Sequence, residues 1–180
     1  MKVLGLLRHA KADFDDTATR DFDRGLSDRG ERGAALIGRH IAEQGVRWDR
    51  VIASPAERVK RTLEASGLSL NPIFDERAYL AEPETLIELL RTEPGEPANV
   101  LVAGHNPGLH ELLFRLADPD GESALVAEAR EKFPTCAFAM LELKIDHWSS
   151  LTPACGKLIR FMRPRDLDPD LGPQGAHKSP

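Results

Sequence analysis

The chain has 180 residues, 41% of them hydrophobic, which is enough for one domain with a sizeable core. Its formal net charge is −5 and its pI is about 5.7, values that argue against a nucleic-acid-binding surface. The two cysteines are not in a CxxC arrangement, no signal-peptide pattern occurs, and no apolar stretch approaches the roughly 20 residues of a membrane span. We therefore expect a soluble cytoplasmic protein that binds neither nucleic acid nor membrane.

The first predicted strand is the apolar run at residues 3–7, which ends at Arg8 and His9. In open α/β sheets, ligands bind at the carboxyl ends of the strands. A neutral imidazole beside a guanidinium combines a nucleophile with an anion-binding group, so this pair indicates phosphoryl chemistry on His9. Taken alone, the pair is also compatible with a surface position without a role. The acidic segment at residues 13–23 is interpreted as a loop that flanks the active site.

A helix with its cap at residue 27 or 28 is predicted next, and an apolar strand at residues 50–53 follows it. This strand leads into Ser54-Pro55-Ala56-Glu57-Arg58, where Ser54 is a candidate N-cap and Pro55 suits the first helical position. Because helical side chains lean toward the N-terminus of their helix, Arg58 would reach back to the strand end as a second phosphate-binding group. A solvated helix arginine is the alternative.

The third strand-to-helix junction follows a short predicted helix at residues 85–90 and a turn at residues 94–97. Here a strand at residues 100–103 leads into Gly104-His105-Asn106-Pro107. With Asn106 as N-cap and Pro107 as the first helical residue, backbone N–H groups would point outward near His105 and favour an anion there. A structural histidine at the sheet edge is the alternative.

The last third of the chain begins after a helix that runs to Leu116 and a break at residues 118–121. Residues 136–143 alternate enough to form a strand, and residues 157–162 are its predicted hairpin partner or sheet neighbour. Alternating strands and helices predict a three-layer α/β/α fold with a mostly parallel central sheet. We expect one domain over residues 1–165. Residues 166–180 are rich in Pro, Asp and Gly and are predicted to form a flexible C-terminal tail.

The three junctions together resemble the motif set of the histidine phosphatase superfamily, the phosphoglycerate-mutase-like group. That set is an N-terminal RHG or RHA, a later SPxxR and a distal GH. The matching residues are Leu7-Arg8-His9-Ala10, Ser54-Pro55-Ala56-Glu57-Arg58 and Gly104-His105-Asn106-Pro107. Within this superfamily, the chain is most similar to the SixA-type phosphohistidine phosphatase branch. The similarity lies in its short length and in the sequences of residues 8–12, 21–27, 133–135 and 163–167, so it covers about residues 1–167.

This resemblance implies a metal-independent phosphatase without a cofactor that forms a phosphohistidine intermediate on His9. Arg8, Arg58 and His105 would surround the transferred phosphoryl group. Two arginines and a protonated histidine would stabilise the negative charge on its equatorial oxygens. The reacting nitrogen of His9 must be unprotonated, and we expect a backbone carbonyl to hold its other ring nitrogen. The substrate would be a phosphohistidine-containing protein or a small phosphorylated molecule.

A general acid has no clear counterpart in this sequence, although larger relatives carry a glutamate that protonates the leaving group. Asp75 and Glu76 lie in about the right region and Asp13 is close to His9 in sequence, but for each of them a solvated carboxylate is the favoured interpretation. Without an acid, good leaving groups are favoured. The imidazole of phosphohistidine needs less protonation than a hydroxyl, which fits a phosphohistidine or another labile phosphoramidate.

Four alternatives to this function stay open at the level of sequence. The same pocket would serve a noncatalytic phosphohistidine-binding adaptor, although a pure binder would not need the nucleophile His9. A phosphatase acting on a small-molecule phosphate is the second. A metal site on His9, His105 and an aspartate is the third, and Arg8 and Arg58 would repel its cation. Mutase activity is the fourth, and it would require the acid and insertions that the chain lacks.

Overall fold

The computed structural model describes residues 1–13, 20–121 and 124–173, and a six-stranded sheet forms its centre. The strands are β1 (Lys2–Arg8), β2 (Arg50–Ala53), β3 (Pro72–Phe74), β4 (Asn99–Gly104), β5 (Phe138–Leu143) and β6 (Gly156–Met162). Their order across the sheet is β3-β2-β4-β1-β5-β6. The four strands β3, β2, β4 and β1 pair in parallel, whereas β5 is antiparallel to both β1 and β6. The predicted mostly parallel sheet is confirmed.

Helices cover both faces of this sheet and complete the predicted three layers. They are α1 (Asp28–Glu43), α2 (Glu57–Ala65), α3 (Pro83–Arg91), α4 (Gly108–Leu116), α5 (Ala124–Glu131) and the short α6 (Pro164–Leu167). One apolar core contains side chains of α1 and α2, and the other contains side chains of α3, α4 and α5. Among the residues that the structure describes, no helix is long and apolar enough to cross a membrane.

Burial on both faces explains why the central strands read as continuous apolar runs. Side chains alternate between the faces of a strand. In β4, Val100 and Val102 enter the core that contains α3–α5, whereas Leu101 and Ala103 enter the core that contains α1 and α2. All four are at most 1% exposed. The buried sheet is therefore a rigid platform for whatever follows its strand ends.

The start of α1 packs closely against the segment that follows β1. Ser27 caps α1, because its hydroxyl accepts a hydrogen bond of 3.1 Å from the Gly30 backbone N–H, as the sequence predicted. A Cβ atom at Gly30 would lie 2.2 Å from the Lys11 carbonyl oxygen, so glycine permits this approach. The backbone just after His9 is thus held between the sheet and α1.

The end of the chain differs from the predicted flexible tail over residues 166–173. Pro164–Leu167 forms α6 and Pro169–Leu171 forms a 3-10 turn. Arg32 of α1 pairs with Asp168 at 3.2 Å, and Arg29 donates a hydrogen bond to the Gly172 carbonyl. Composition understated the order of this segment because polar anchors on α1, rather than apolar burial, hold it. Residues 174–180, the remainder of the predicted tail, lie outside the described residues, as do residues 14–19 of the acidic segment.

Candidate active site

Three neighbouring strand ends bring the motif residues together. Arg8 and His9 lie at the end of β1, Ser54 follows β2 and His105 follows β4. Since β4 lies between β1 and β2 and all three are parallel, these ends share one edge of the sheet. The ring centroids of His9 and His105 are 5.3 Å apart. The prediction that the motifs converge at one edge of the sheet agrees with the structure.

His9 is buried, and its backbone and ring are both fixed. Its backbone N–H donates to the Gly104 carbonyl at 3.0 Å, and its own carbonyl accepts from the Cys136 N–H at 2.8 Å. Its ring Nδ1 lies 2.8 Å from the Ala10 carbonyl oxygen. A carbonyl only accepts hydrogen bonds, so Nδ1 carries the proton and Nε2 keeps its lone pair. This is the backbone contact that the sequence analysis expected.

The charge state of His9 is set mainly by burial. Burial, together with the positive charges of Arg8 and Arg58, lowers the pKa of His9 to about 4, although the hydrogen bond to the Ala10 carbonyl opposes the shift. The ring is therefore neutral at pH 7. A neutral imidazole with a free Nε2 is the protonation state that a nucleophilic histidine requires.

His105 is held between Ser54 and Arg58. Its Nε2 lies 2.7 Å from the Ser54 hydroxyl oxygen, and its Nδ1 lies 3.3 Å from Nη2 of Arg58. A guanidinium has no acceptor, so Nδ1 accepts from Arg58 and Nε2 donates to Ser54. Burial, followed by the charges of His9 and Arg58, lowers the pKa of His105 to about 3. Burial and the adjacent cations therefore favour a neutral His105, and its expected protonation beside a transferred phosphoryl group stays a prediction.

The two predicted helix caps at these junctions have other partners. α2 begins at Glu57 without a side-chain cap, and the Ser54 hydroxyl instead contacts His105 and accepts from the Ala56 N–H at 3.2 Å. α4 begins at Gly108. Asn106 does not cap it, and its side chain donates to the Phe133 carbonyl at 2.7 Å. Neither side chain caps its helix, and each makes a tertiary contact instead.

Arg58 is 5% exposed, in the first turn of α2, and it reaches the strand ends as predicted. Its Nη1 donates to the Asp21 carbonyl at 2.8 Å and its Nη2 lies 3.1 Å from Oδ2 of Asp21. The Arg58 carbonyl accepts from the Thr62 hydroxyl at 2.6 Å, and Oγ1 of Thr62 accepts from the Ala10 N–H at 2.9 Å. Thr62 thereby joins the backbone of Arg58 to the backbone that follows His9.

Arg8 contacts the segment between α5 and β5. Its Nη1 donates to the Phe133 carbonyl at 3.2 Å, while its Nε is buried without a hydrogen-bond partner among the described residues. Burial and then the charge of Arg58 lower the pKa of Arg8, which nonetheless stays positive at neutral pH because an arginine starts so high. Two guanidinium groups thus lie beside one neutral imidazole nucleophile, an arrangement suited to an anion.

Asp21 and Tyr79 belong to the site although neither was a candidate from the sequence. The Tyr79 hydroxyl donates to Oδ2 of Asp21, and the Tyr79 ring meets the His105 ring edge-on at 5.4 Å. The hydrogen bond from Tyr79, followed by the charge and the hydrogen bond of Arg58, lowers the pKa of Asp21, which is therefore ionised. The available signals were the acidic segment that was placed beside the site and the fact that Tyr79 is the one tyrosine of the chain.

The three acids considered from the sequence have other environments. Asp75 forms two hydrogen bonds with the Arg77 guanidinium, at 3.1 and 2.7 Å, and caps the 3-10 turn Glu76–Ala78. Glu76 is exposed, and the backbone of Asp13 bonds to the Gly25 carbonyl at 2.9 Å. The carboxylate that contacts Arg58 is instead Asp21. Over residues 1–13, 20–121 and 124–173, no group of three or more His, Cys, Asp or Glu side chains is placed to hold a metal ion.

Known proteins share this sequence pattern and fold. The family model of the histidine phosphatase superfamily (branch 1) matches residues 4–85. The chain is 37% identical over 160 residues to the uncharacterized protein Rv1276c of Mycobacterium tuberculosis, covering 88% of this chain and 100% of that protein. A provisionally assigned phosphohistidine phosphatase SixA from Nakamurella multipartitia has a TM-score of 0.78 at 27% identity, over 91% of this chain and 96% of that chain. The protein histidine phosphatase SixA complexed with tungstate has a TM-score of 0.72 at 25% identity, over 92% and 99% of the two chains.

Proposed function

The chain belongs to the histidine phosphatase superfamily, and on that premise we propose that it is a phosphohistidine phosphatase that works through a covalent intermediate on His9. The observation that carries the proposal is the state of His9. Its Nδ1 is tied to the Ala10 carbonyl and its neutral Nε2 is free beside two arginines. The similarity to SixA phosphatases, one of them complexed with the oxyanion tungstate, supports the same chemistry.

In the first step, Nε2 of His9 attacks phosphorus while the bond from phosphorus to the leaving group breaks. Nδ1 keeps its proton, and the Ala10 carbonyl stabilises the positive charge that the phosphorylated ring acquires. Arg8 and Arg58 donate to the equatorial oxygens, where negative charge spreads in the transition state. A leaving imidazole that is protonated on its other ring nitrogen departs neutral and needs no enzymatic acid.

His105 gains a proton when the phosphoryl group binds. Burial and the nearby charges favour its neutral form, with Nδ1 directed at Arg58. A phosphoryl group bound at Arg58 opposes the effect of the cations, so it raises the pKa of His105 and favours a proton on Nδ1. The protonated ring then donates to a phosphoryl oxygen. In the second step water attacks phosphorus, the bond from phosphorus to Nε2 of His9 breaks, and phosphate leaves.

The test is intact-mass analysis of the wild-type protein and His9→Ala after exposure to a phosphohistidine peptide, with released phosphate monitored. We expect an acid-labile gain of one phosphoryl group and phosphate release in the wild type alone. Binding by both proteins without release would instead assign the noncatalytic adaptor. Activity that survives a chelator is expected for a metal-independent reaction, because Arg8 and Arg58 supply the positive charge that a metal would otherwise bring.

A phosphatase that acts on a small-molecule phosphate is the second candidate, and its chemistry on His9 is the same. The two candidates differ in their leaving group, because a departing hydroxyl needs more protonation than an imidazole does. Among the described residues, no acid other than Asp21, which pairs with Arg58, contacts Arg58 or His105. Phosphorylated imidazole and an alkyl phosphate, offered at equal concentration, separate the two. A higher kcat/KM for the imidazole supports phosphohistidine. The cytoplasmic location stays a prediction from the cysteine content.

A further inference from the structure

A cavity of about 300 Å³ lies next to the segment that follows His9. We call it the basic cavity. Its wall is formed by residues 10–11 after β1, the start of α1, residues 132 and 134–136 before β5, and residues 163–165 and 171–173 at the end of the described chain. Small-molecule sites begin at about this volume, so it would hold one compact group.

Five cationic side chains line the basic cavity. They are Lys11, Arg29, Lys132, Arg163 and Arg165. None of the described residues that line it is an Asp or Glu. This concentration of positive charge is notable in a chain whose formal net charge is −5. A wall of one sign attracts the opposite charge, so the cavity favours an anion.

Most of this charge is not neutralised by neighbours. Asp166 pairs with Arg163 at 2.9 Å, and Glu128 and Glu131 also act on Arg163. Arg29 donates to the Gly172 carbonyl, which leaves its charge in place. Over the described residues, Lys11, Lys132, Arg29 and Arg165 form no ion pair. The side-chain ammonium groups of Lys11 and Lys132 are exposed and lack a hydrogen-bond partner among those residues.

The basic cavity shares backbone with the nucleophile. Ala10 lines it and accepts the bond from Nδ1 of His9 through its carbonyl. Cys136 also lines it, and its N–H donates to the His9 carbonyl. The wall therefore includes the residue that follows His9 and a residue just before β5 that is hydrogen-bonded to the His9 backbone. Arg8, His9, Arg58 and His105 are not among its lining residues, so this shared backbone is what links the basic cavity to the reaction centre.

We infer that the basic cavity is a specificity subsite that binds a second anionic group, a carboxylate or a phosphate, on the phosphorylated substrate. The inference rests on the proposed function and adds the substrate class, a molecule with at least two anionic groups. The second group comes from one of two sources. It is either part of the same small molecule or an acidic side chain near the phosphohistidine of a protein.

The experiment uses substrate pairs that differ in this group alone. One pair is a phosphohistidine peptide with flanking glutamates and its glutamine counterpart. The other is a small phosphorylated carboxylate and its amide. The quantity measured is the ratio of kcat/KM for the acidic member to that for the neutral member. We expect a ratio above one in the wild type for at least one pair, and a fall of about tenfold in Lys132→Glu, since a nearby charge is reversed.

Two further variants make the outcome decisive. Lys144→Glu imposes the same charge change at the end of β5, on the opposite edge of the sheet, and should leave the ratio unchanged. Arg165→Gln serves as a second probe of the cavity. A ratio of one in both pairs, or a ratio that Lys132→Glu and Lys144→Glu lower equally, overturns the inference. The pair that shows the effect identifies the source. Absence of turnover on every substrate contradicts the proposed function instead.

Discussion

The Ser54→Ala substitution tests whether the Ser54 hydroxyl orients His105. Ser54 is fully buried, and its oxygen lies 2.7 Å from Nε2 of His105 and 3.2 Å from the Ala56 nitrogen. Alanine removes the acceptor of both bonds. It also removes the partner that fixes the proton of His105 on Nε2, while Nδ1 still faces a guanidinium that has no acceptor.

The magnitude follows from leaving a buried N–H without an acceptor. Such a loss costs about 1–3 kcal/mol in the free energy of unfolding. The catalytic loss should be larger than this structural cost explains, because a misplaced His105 weakens a contact made to the transferred phosphoryl group. We expect kcat/KM on a phosphohistidine peptide to fall by about 10- to 100-fold, which corresponds to about 1.4–2.7 kcal/mol of transition-state stabilisation.

Ser66→Ala is the matched control. Ser66 is also buried, its hydroxyl donates to the Leu63 carbonyl at 2.6 Å, and it accepts from the Leu68 N–H at 3.3 Å. The same atoms are deleted, but at the end of α2 away from the strand ends. Urea unfolding measures the free energy of unfolding, and steady-state kinetics measure kcat/KM. If Ser54→Ala destabilises the protein as Ser66→Ala does and leaves kcat/KM unchanged, Ser54 has no role in orienting His105.

Two more predictions concern pH and Asp21. The pKa values of His9 and His105 lie near 4 and 3, below the value of an unfolded histidine. The unfolded chain therefore binds more protons as pH falls from about 6.5 to 4, and each histidine removes up to about 1.4 kcal/mol of stability per pH unit. Urea unfolding between pH 4 and 7 should show this slope, reduced in His105→Gln; an equal slope in both proteins would contradict the assignment. Asp21→Asn removes the carboxylate that faces Arg58, so calorimetry should show several-fold tighter binding of inorganic phosphate. Asp23→Asn, in the same 3-10 turn, is the control. Weaker phosphate binding by Asp21→Asn than by the wild type would mean that Asp21 chiefly positions Arg58.

Residues at the ends of predicted strands were placed correctly because their position depends on a global rule. Arg8, His9 and His105 each follow an apolar run, and parallel strands end at one edge of a sheet. The sequence also located Arg58, since a helix after a strand returns its first turn to that edge. The carbonyl contact of His9 followed from the need to fix one tautomer.

The contacts that the sequence did not provide are those between distant segments. Ser54 and Asn106 have the composition of helix caps, but His105 and the Phe133 carbonyl are better partners in the folded chain. Tyr79 reaches Asp21 across 58 positions, a distance that no local pattern encodes. The neutral state of His105 depends on its burial, which local sequence does not give.

The bond pair at Thr62 has a consequence for the dynamics of the site. Its side-chain oxygen bridges the Arg58 carbonyl and the Ala10 amide. Thr62 therefore joins the backbone of Arg58 to the backbone that follows His9 in the protein interior. A fluctuation that moves α2 away from the sheet must also break the hydrogen bond to the Ala10 amide. The Ala10 amide should then exchange its hydrogen with solvent only in rare, large openings.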